Sequence, residues 1–269
     1  MIVKINSWYG RLGNNIHQVK NALHICFFYN ANLLIPYHNY FNSTYIKLFD
    51  ECDETEIVCD KSKKGENFYH AFYTLIDTEV FKKNHLNVLN VLKNVFSSKV
   101  TNSFSSNNVL TIHIRSGDIF IKKPHPKYIP PPLTYYKTII DTYKFDKIII
   151  LSEDTKNPVI KQLLKNYNNC YYEKKTLKED IDIILKSKNV VASIGSFISQ
   201  LLLLSNNVEN IFIPDYFFSL SVIYKYDIEF LNLLYKNCSL KKIDLPNYID
   251  LMKEWKNTEE QQKFLINYI

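Results

Sequence analysis

The chain has 269 residues, of which 46% are hydrophobic, so it is long enough for one large domain or two small ones with an ordinary core. Its formal net charge of +6 comes from dispersed lysines, without the basic stripe and interleaved aromatic residues typical of a nucleic-acid binder. The sequence shows neither a signal peptide nor the roughly 20 apolar residues that a membrane span needs. We therefore expect a cytoplasmic protein, in the host cytoplasm if the source is a virus, that binds no nucleic acid and spans no membrane.

The rarer residue types narrow the chemistry further. The cysteines are an odd number, lie far apart and show no metal-ligand spacing: Cys26, Cys52, Cys59, Cys170 and Cys238. We expect reduced thiols and no bound metal. Arginine occurs only as Arg11 and Arg115, each inside a glycine-containing motif. The composition is typical of AT-rich coding, which tends to replace arginine by lysine, so an arginine that persists indicates a position where the guanidinium is needed.

The first part of the chain predicts a strand, a glycine loop, a helix and a second strand. Residues 2–5 are apolar, the next loop contains Gly10 and Gly13, and apolar residues between Ile16 and Phe27 recur at helical spacing. Residues 33–35 predict the second strand. Together these elements indicate a first βαβ-type unit.

Strand and helix alternate regularly in the second part, which follows a helix predicted at 78–96 and a Ser/Asn-rich linker at 102–108. Strands are predicted at 109–114, 147–151, 170–173, 190–194 and 211–213, and helices at 135–143, 158–166, 177–186 and 197–204. This alternation predicts an α/β protein with a parallel, doubly wound sheet. We expect domains at 1–105 and 106–269, two Rossmann-type halves facing a cleft, with a helical C-terminal tail over 219–269.

The end of the strand at 109–114 is the strongest candidate for a functional site. His113, Arg115 and Asp118 stand where this strand gives way to a loop, and open α/β sheets bind ligands at the carboxyl ends of their strands. The planar fork of Arg115 matches a phosphate, and Gly117 lets a ligand approach the backbone. The pattern predicts a diphosphate site, and the alternative is a surface ion pair between Arg115 and Asp118.

Other segments also place polar or small residues next to predicted strands. The loop GRLGNN contains Arg11, Gly13 and Asn14, and is either a phosphate-contacting loop before a helix or a structural turn. Further candidates are either ligand contacts or helix caps and turns: Ser152, Asp154, Asp180, Ser193, Ser196 and Ser199. The proline-rich loop that carries His125 and Tyr128 either walls the site or is a stiff solvent loop.

Together these segments resemble three motifs of the superfamily of α-1,2-, α-1,6- and protein O-fucosyltransferases. GRLGNN is similar to the G-R-x-G-N-Q element of the α-1,2 enzymes, and HIRSGD is similar to H-x-R-R-x-D. The stretch from Asp180 through Ser196, Phe197 and Ser199 is similar to the family segment that ends in S-T/S-F-S. The motifs keep the family's order, and the resemblance covers residues 1–30 and 109–205.

The resemblance implies a GT-B-like fold with an N-terminal acceptor-side domain and a C-terminal domain that binds the nucleotide sugar. It also implies inverting transfer of fucose from GDP-fucose to a glycan acceptor, with no metal and no other cofactor. Arg115 would then bind the donor β-phosphate, and Asp180 would meet the guanine or ribose. The residues expected to bind the donor are Arg11, Gly13, Asn14, His113, Ser152, Asp154, Asp180, Ser193, Ser196, Phe197 and Ser199.

Two departures from the family pattern leave alternatives open. Ser116 replaces the second arginine of the motif, and Lys123 stands where α-1,6 enzymes have a glutamate base. Candidates for the base that activates the acceptor are therefore Asp118, Asp77 and His125, in that order. The alternatives to a fucosyltransferase are an enzyme that uses UDP-xylose or another GDP-sugar, a nucleotide-sugar-binding module without turnover, and a structural α/β protein.

Overall fold

The computed structural model of the protein describes residues 1–50, 55–59, 78–98, 104, 108–217 and 238–269. These residues form two compact units. The first comprises residues 1–50, 55–59 and 78–98 together with Ser199–Leu204, and the second comprises the other described residues. The predicted domain boundary between residues 105 and 106 lies outside the described part of the chain.

In its described residues, the first unit contains a small sheet and two long helices. Its strands are β1 (Ile2–Ile5), β2 (Asn32–Leu34), β3 (Tyr45–Ile46) and β4 (Glu56–Cys59), in the order β3-β2-β1-β4. β2 and β4 pair parallel with β1, whereas β3 pairs antiparallel with β2. The helices are α1 (Leu12–Tyr29) and α2 (Thr78–Val95). The predicted first strand, helix and second strand are confirmed, whereas β3 and β4 are too short to show the alternation that predicts a strand.

Helix α1 is largely buried, although many of its residues are polar. Its buried polar side chains are Asn15, His17, Gln18, Lys20, Asn21 and His24. The rings of His24 on α1 and His85 on α2 stack with centroids 5.5 Å apart. Burial lowers the pKa of Lys20 to about 7 and that of His85 to about 3. The packing of these two helices therefore contains ionisable groups whose charged forms are disfavoured.

The second unit contains a six-stranded parallel sheet in the described part of the chain. Its strands are β5 (Val109–His113), β6 (Lys147–Leu151), β7 (Cys170–Tyr172), β8 (Asn189–Val191), β9 (Asn210–Pro214) and β10 (Ser239–Ile243). They lie in the order β10-β9-β8-β5-β6-β7, and every neighbouring pair is parallel. The chain runs outward from β5 to β7 and then returns to the other side of β5 at β8. The predicted doubly wound α/β sheet is confirmed, and its topological switch point lies between β5 and β8.

Helices follow the strands of this sheet, as the alternating pattern predicts. They are α3 (Leu133–Tyr143), α4 (Pro158–Asn166), α5 (Leu177–Lys186), α6 (Ser196–Leu204), α7 (Tyr248–Met252) and α8 (Glu259–Asn267). The side chain of Asn157 caps α4 by accepting a hydrogen bond from the backbone N–H of Val159, 3.1 Å away. A capping box between Thr176 and Glu179 begins α5. In the described ranges, no helix is both long and apolar enough to cross a bilayer.

The C-terminal tail requires one correction. The pattern predicts helix throughout 219–269, but Ser239–Ile243 forms strand β10, which pairs in parallel with β9. Leu240 and Ile243 are three residues apart, which imitates helical spacing in so short an edge strand. Residues 218–237 lie outside the described part of the chain, and the residues after β10 are helical at α7 and α8 but not between them. The tail buries Tyr248 and Trp255 in the core of the second unit.

Candidate functional site

The switch point of the second sheet brings together the polar residues that follow β5 and β8. The hydroxyl of Ser193, just after β8, accepts a hydrogen bond from the backbone N–H of Arg115, 3.0 Å away. The same oxygen lies 3.0 Å from Nδ1 of His113 at the end of β5. Burial and the charge of Arg115 lower the pKa of His113 to about 3, so the ring is neutral at pH 7 and shares one hydrogen bond with the Ser193 hydroxyl. Ser193 thus locks the Arg115 backbone in place.

The guanidinium of Arg115 is held on two sides. Its Nε and Nη2 donate to the two carboxylate oxygens of Asp118, at 3.2 and 2.8 Å. Its central carbon lies 3.8 Å from the centre of the Tyr128 ring. The ion pair considered as the alternative therefore exists, but it is not a plain surface pair, because the Arg115 side chain is only 15% exposed. A planar cation fixed in this way is preorganised for a further anion.

The remaining nitrogen of the guanidinium, Nη1, points to the start of α6. A Cβ placed on Gly195 would lie 2.5 Å from Nη1, so only glycine leaves room for the guanidinium there. Gly195 also has a φ of +113°, a backbone conformation that other residues adopt only with strain. Within the described residues, Arg115 makes no hydrogen bond through Nη1. Nη1 and the first turn of α6, which begins at Ser196, therefore form a cationic, anion-attracting corner.

Ser116 has a structural role in the loop that follows β5. Its side chain is 1% exposed, donates to a carboxylate oxygen of Asp154 and accepts from the backbone N–H of Asn157 at 3.0 Å. Asn157 in turn donates from its side chain to the carbonyl oxygen of Arg115, 3.1 Å away. The space at position 116 holds a hydroxyl and could not hold an arginine without rearrangement. The site therefore has one arginine where the motif has two.

Asp154 joins the loop after β6 to the loop after β5. One of its carboxylate oxygens accepts from the backbone N–H groups of Gly117 and Lys156, at 3.3 and 3.0 Å. Burial alone would raise the pKa of Asp154, but these bonds and the one from Ser116 lower it below its ordinary value. Ser152 donates to the carbonyl oxygen of Asp154 at 2.9 Å. In this structure Ser152 and Asp154 fasten the loop that carries Arg115.

Asp180 is a half-buried carboxyl group at the same end of the second sheet. It lies in the first turn of α5, which follows β7. Burial raises its pKa to about 6, although the nearby charge of Lys175 acts in the opposite direction. Burial and the charges of Asp154 and Asp180 also raise the pKa of Tyr172, so both carboxylates act on this ring. Asp180 is thus an acidic group at the carboxyl end of the sheet.

Phe197 and His125 flank the Arg115 region in different ways. The Phe197 ring at the start of α6 lies 5.6 Å from the His113 ring. His125 is exposed, its Nδ1 accepts from the backbone N–H of Lys127 at 3.3 Å, and its ring lies 4.8 Å from that of Tyr128. His125 is therefore a loop residue that touches the support of Arg115 and makes no direct contact with the guanidinium that the structure gives.

The remaining candidates belong to the first unit or lie outside the described residues. Arg11 is the exposed residue that precedes α1, while Gly13 is buried in the first turn. Asn14 crowds Gly10, whose φ is +68° and whose hypothetical Cβ would lie 2.1 Å from the Asn14 amide nitrogen. Ser199 is 3% exposed and groups with the first unit. Asp77 lies outside the described residues.

The glycine loop before α1 is fastened by side chains that its motif alone does not single out. Gln18 accepts a hydrogen bond from the backbone N–H of Tyr9 at 2.8 Å and donates to the carbonyl oxygen of Ser7 at 3.3 Å. Asn15 donates to the carbonyl oxygen of Tyr9 at 3.1 Å. These hydrogen bonds give the loop a fixed conformation at the carboxyl end of β1.

Reasoning from the sequence missed two contacts of the guanidinium. The central carbon of Arg115 lies over the Tyr128 ring, and Nη1 lies 2.5 Å from where a Cβ on Gly195 would stand. No spacing rule links residue 115 to residue 128 or 195, since each contact arises from how a loop folds back on the sheet. Across the described ranges, no group of three or more His, Cys, Asp and Glu side chains is placed to hold a metal ion.

Comparison with known proteins found solved structures of very low sequence identity to this chain. It is similar to E. coli heptosyltransferase WaaC with ADP, at 8% identity and a TM-score of 0.43, covering 91% of this chain and 90% of that one. It is also similar to fucosyltransferase NodZ from Bradyrhizobium, at 12% identity and a TM-score of 0.41, covering 76% and 92%. No protein-family model and no curated protein matches the chain.

Proposed function

We propose that the protein is a GT-B-like, metal-independent, inverting glycosyltransferase that moves a sugar from a nucleotide to a hydroxyl of a glycan acceptor. The leading donor is GDP-fucose, because the motifs that contain Arg115, Asp180 and Ser196 resemble those of fucosyltransferases. One observation carries the proposal: Arg115 is fixed at the switch point with Nη1 directed at the start of α6.

The chemistry that this corner supplies is charge stabilisation. Transfer from a sugar nucleotide breaks the bond between the sugar and the diphosphate, and the diphosphate gains negative charge as it leaves. Preorganised donors in a partly dry site stabilise that charge strongly. Arg115 would donate from Nη1 to the β-phosphate, and the N-terminal turn of α6, including Ser196, would hold other phosphate oxygens. Asp180 would accept hydrogen bonds from the guanine or the ribose.

The acceptor hydroxyl must lose a proton when it attacks the sugar. Asp118 is a candidate base, and in the structure both of its oxygens are held by Arg115. Asp118 could act as a base only if a bound diphosphate drew the guanidinium away from it. Asp77 and His125 remain the other candidates, and Arg11, Gly13 and Asn14 remain proposed donor contacts from the first unit.

Ser116 favours a second candidate function. The site holds one arginine where the motif has two, so it offers less charge to a leaving diphosphate. That observation favours a nucleotide-sugar-binding module without turnover, or a transferase for another donor such as UDP-xylose or another GDP-sugar. These candidates share the diphosphate contact at Arg115 and differ in the base, the sugar and the presence of turnover.

The test is to incubate GDP-fucose, other GDP-sugars and UDP-xylose with the protein, with and without glycan acceptors, and to measure release of GDP or UDP. We expect acceptor-dependent release from GDP-fucose. Arg115→Ala should lower kcat/KM by roughly 30- to 1,000-fold, which corresponds to about 2–4 kcal/mol of lost transition-state stabilisation.

Lys165→Ala, an exposed lysine on α4, is the control for loss of one positive charge and should leave release unchanged. Nucleotide binding that depends on Arg115 without any release would identify a binding module. Absence of binding to every nucleotide tested would refute the proposal.

A further inference from the structure

The ring of Tyr128 covers one face of the Arg115 guanidinium, at 3.8 Å from the ring centre to the central carbon. We propose that Tyr128 is a positioning residue for Arg115, and that the C-terminal tail from Leu245 to Tyr268 holds Tyr128 in place. The consequence for donor binding rests on the proposed function. The contact itself stands on geometry alone.

The stacked ring restricts the guanidinium in the one direction that Asp118 leaves open. Asp118 holds Nε and Nη2 in the plane of the guanidinium, so the group can still rock about that edge. The Tyr128 ring lies against the flat face and opposes this rocking, and a cation over an aromatic face is itself attractive. With both contacts present, Nη1 stays beside Gly195 before any ligand arrives. Less ordering is then needed when an anion binds.

Tyr128 sits in a loop without regular secondary structure, so something else must fix it. The carbonyl oxygen of Pro126 accepts a hydrogen bond from the backbone N–H of Trp255, 2.8 Å away. The carbonyl oxygen of Pro130 accepts one from the Tyr248 hydroxyl at 2.7 Å. Both flanks of Tyr128 are therefore tied to the tail, two residues before it and two residues after it.

The same tail also holds the start of this loop. Asn257 donates from its side chain to the carbonyl oxygen of Ile121 at 3.1 Å, and the rings of Phe120 and Trp255 meet edge to face at 5.3 Å. Tyr248 and Trp255 are buried in the core of the second unit, so these anchors are rigid. The tail thus supports Arg115 through Tyr128 without itself contacting the guanidinium in any way that the structure gives.

The test uses the fact that the chain contains only two arginines, Arg11 and Arg115. Nuclear magnetic resonance of protein labelled with ¹⁵N-arginine gives one Nε–H signal for each arginine. The signal that disappears in Arg115→Ala is that of Arg115. Tyr128→Leu removes the aromatic face and should move the Arg115 signal by loss of the ring current and speed its exchange with water. Tyr128→Phe keeps the face and should leave the signal near its wild-type position.

A matched control is Tyr171→Leu. Tyr171 is 55% exposed on β7, and the Lys147 ammonium lies 5.8 Å from its ring, so it is another tyrosine beside a cation but away from Arg115. This variant should leave the Arg115 signal unchanged. Tyr248→Phe, which removes the hydroxyl that holds Pro130, should shift the signal in the same direction as Tyr128→Leu, by a smaller amount. Melting temperatures show that each variant is folded.

Titration with GDP then measures the functional consequence. Tyr128→Leu should weaken GDP binding by roughly two- to twelvefold, the range expected when one more side chain must be ordered on binding, and Tyr128→Phe should bind as the wild type does. An unmoved Arg115 signal in folded Tyr128→Leu, or an equal shift in Tyr128→Phe, would overturn the positioning role. If wild-type protein binds no GDP while the signals behave as expected, the proposed function fails and the positioning role stands.

Discussion

Gly195→Ala is the substitution that most sharply tests the geometry around Arg115. The new methyl group would lie 2.5 Å from Nη1, nearly 1 Å inside an ordinary contact, so the guanidinium must move away from the start of α6. The φ of +113° adds backbone strain of about 1–3 kcal/mol. The first effect acts on ligand binding, and the second acts mainly on the free energy of unfolding.

The loss of affinity follows from the hydrogen bond that the displaced Nη1 can no longer make. A hydrogen bond between charged groups contributes about 1.5–3 kcal/mol, so the dissociation constant for GDP should rise by roughly 10- to 100-fold. Isothermal titration calorimetry measures the dissociation constant, and urea denaturation measures the free energy of unfolding separately. The two measurements separate the loss at the site from the strain in the backbone.

The Arg115→Ala background provides the control. Without the guanidinium there is nothing at Nη1 for the methyl group to displace, so Gly195→Ala should cause little further loss of GDP affinity there. Wild-type affinity in Gly195→Ala would refute the reasoning. An equal loss in both backgrounds would show that the glycine acts on the ligand independently of Arg115.

Two further predictions concern residues around the site. Ser116→Arg should lower the free energy of unfolding by about 3 kcal/mol or more, because it places a charge in a buried position and breaks the bonds to Asp154 and Asn157. Urea denaturation measures this change, and stability equal to the wild type would contradict the prediction. Asp180→Asn should stabilise the protein at pH 7 by about 1–2 kcal/mol. The pKa of Asp180 is raised to about 6 in the folded protein, so the wild type loses stability as the pH rises from about 4 to 6, whereas asparagine does not ionise. Urea denaturation between pH 4 and 8 gives the free energy of unfolding of each protein at each pH. The same dependence of this free energy on pH in both proteins would contradict the reasoning.

The architecture of the second unit follows from the sequence because its signals are local. Strands such as Val109–His113 are short runs of apolar residues, and the intervening helices carry apolar residues at helical spacing, so alternation alone predicts the parallel sheet. Strand β10 escapes prediction because five residues with two apolar side chains three apart fit either structure. Pairing with β9 decides the outcome, and that pairing is a long-range contact.

The candidate site, like the fold, is predictable from the sequence only in part. His113, Arg115 and Ser193 were predictable as a group, since the carboxyl ends of adjacent parallel strands meet at one edge of the sheet. The support of the guanidinium by Tyr128 was not, because it depends on the path of an irregular loop held by the tail. The burial of Ser116 was not predictable either, since a serine after a strand can face solvent or take part in a buried hydrogen-bond network.

The central claim is that Arg115 receives the diphosphate of a sugar nucleotide at the switch point of the second sheet. The most direct measurement is a crystal structure of the protein with GDP, or with GDP-fucose if the donor proves stable. We predict a β-phosphate oxygen at about 2.7–2.9 Å from Nη1 of Arg115, with the phosphate at the first turn of α6. A nucleotide bound with its phosphates away from Arg115, while the guanidinium keeps only Asp118 and Tyr128, would contradict the account.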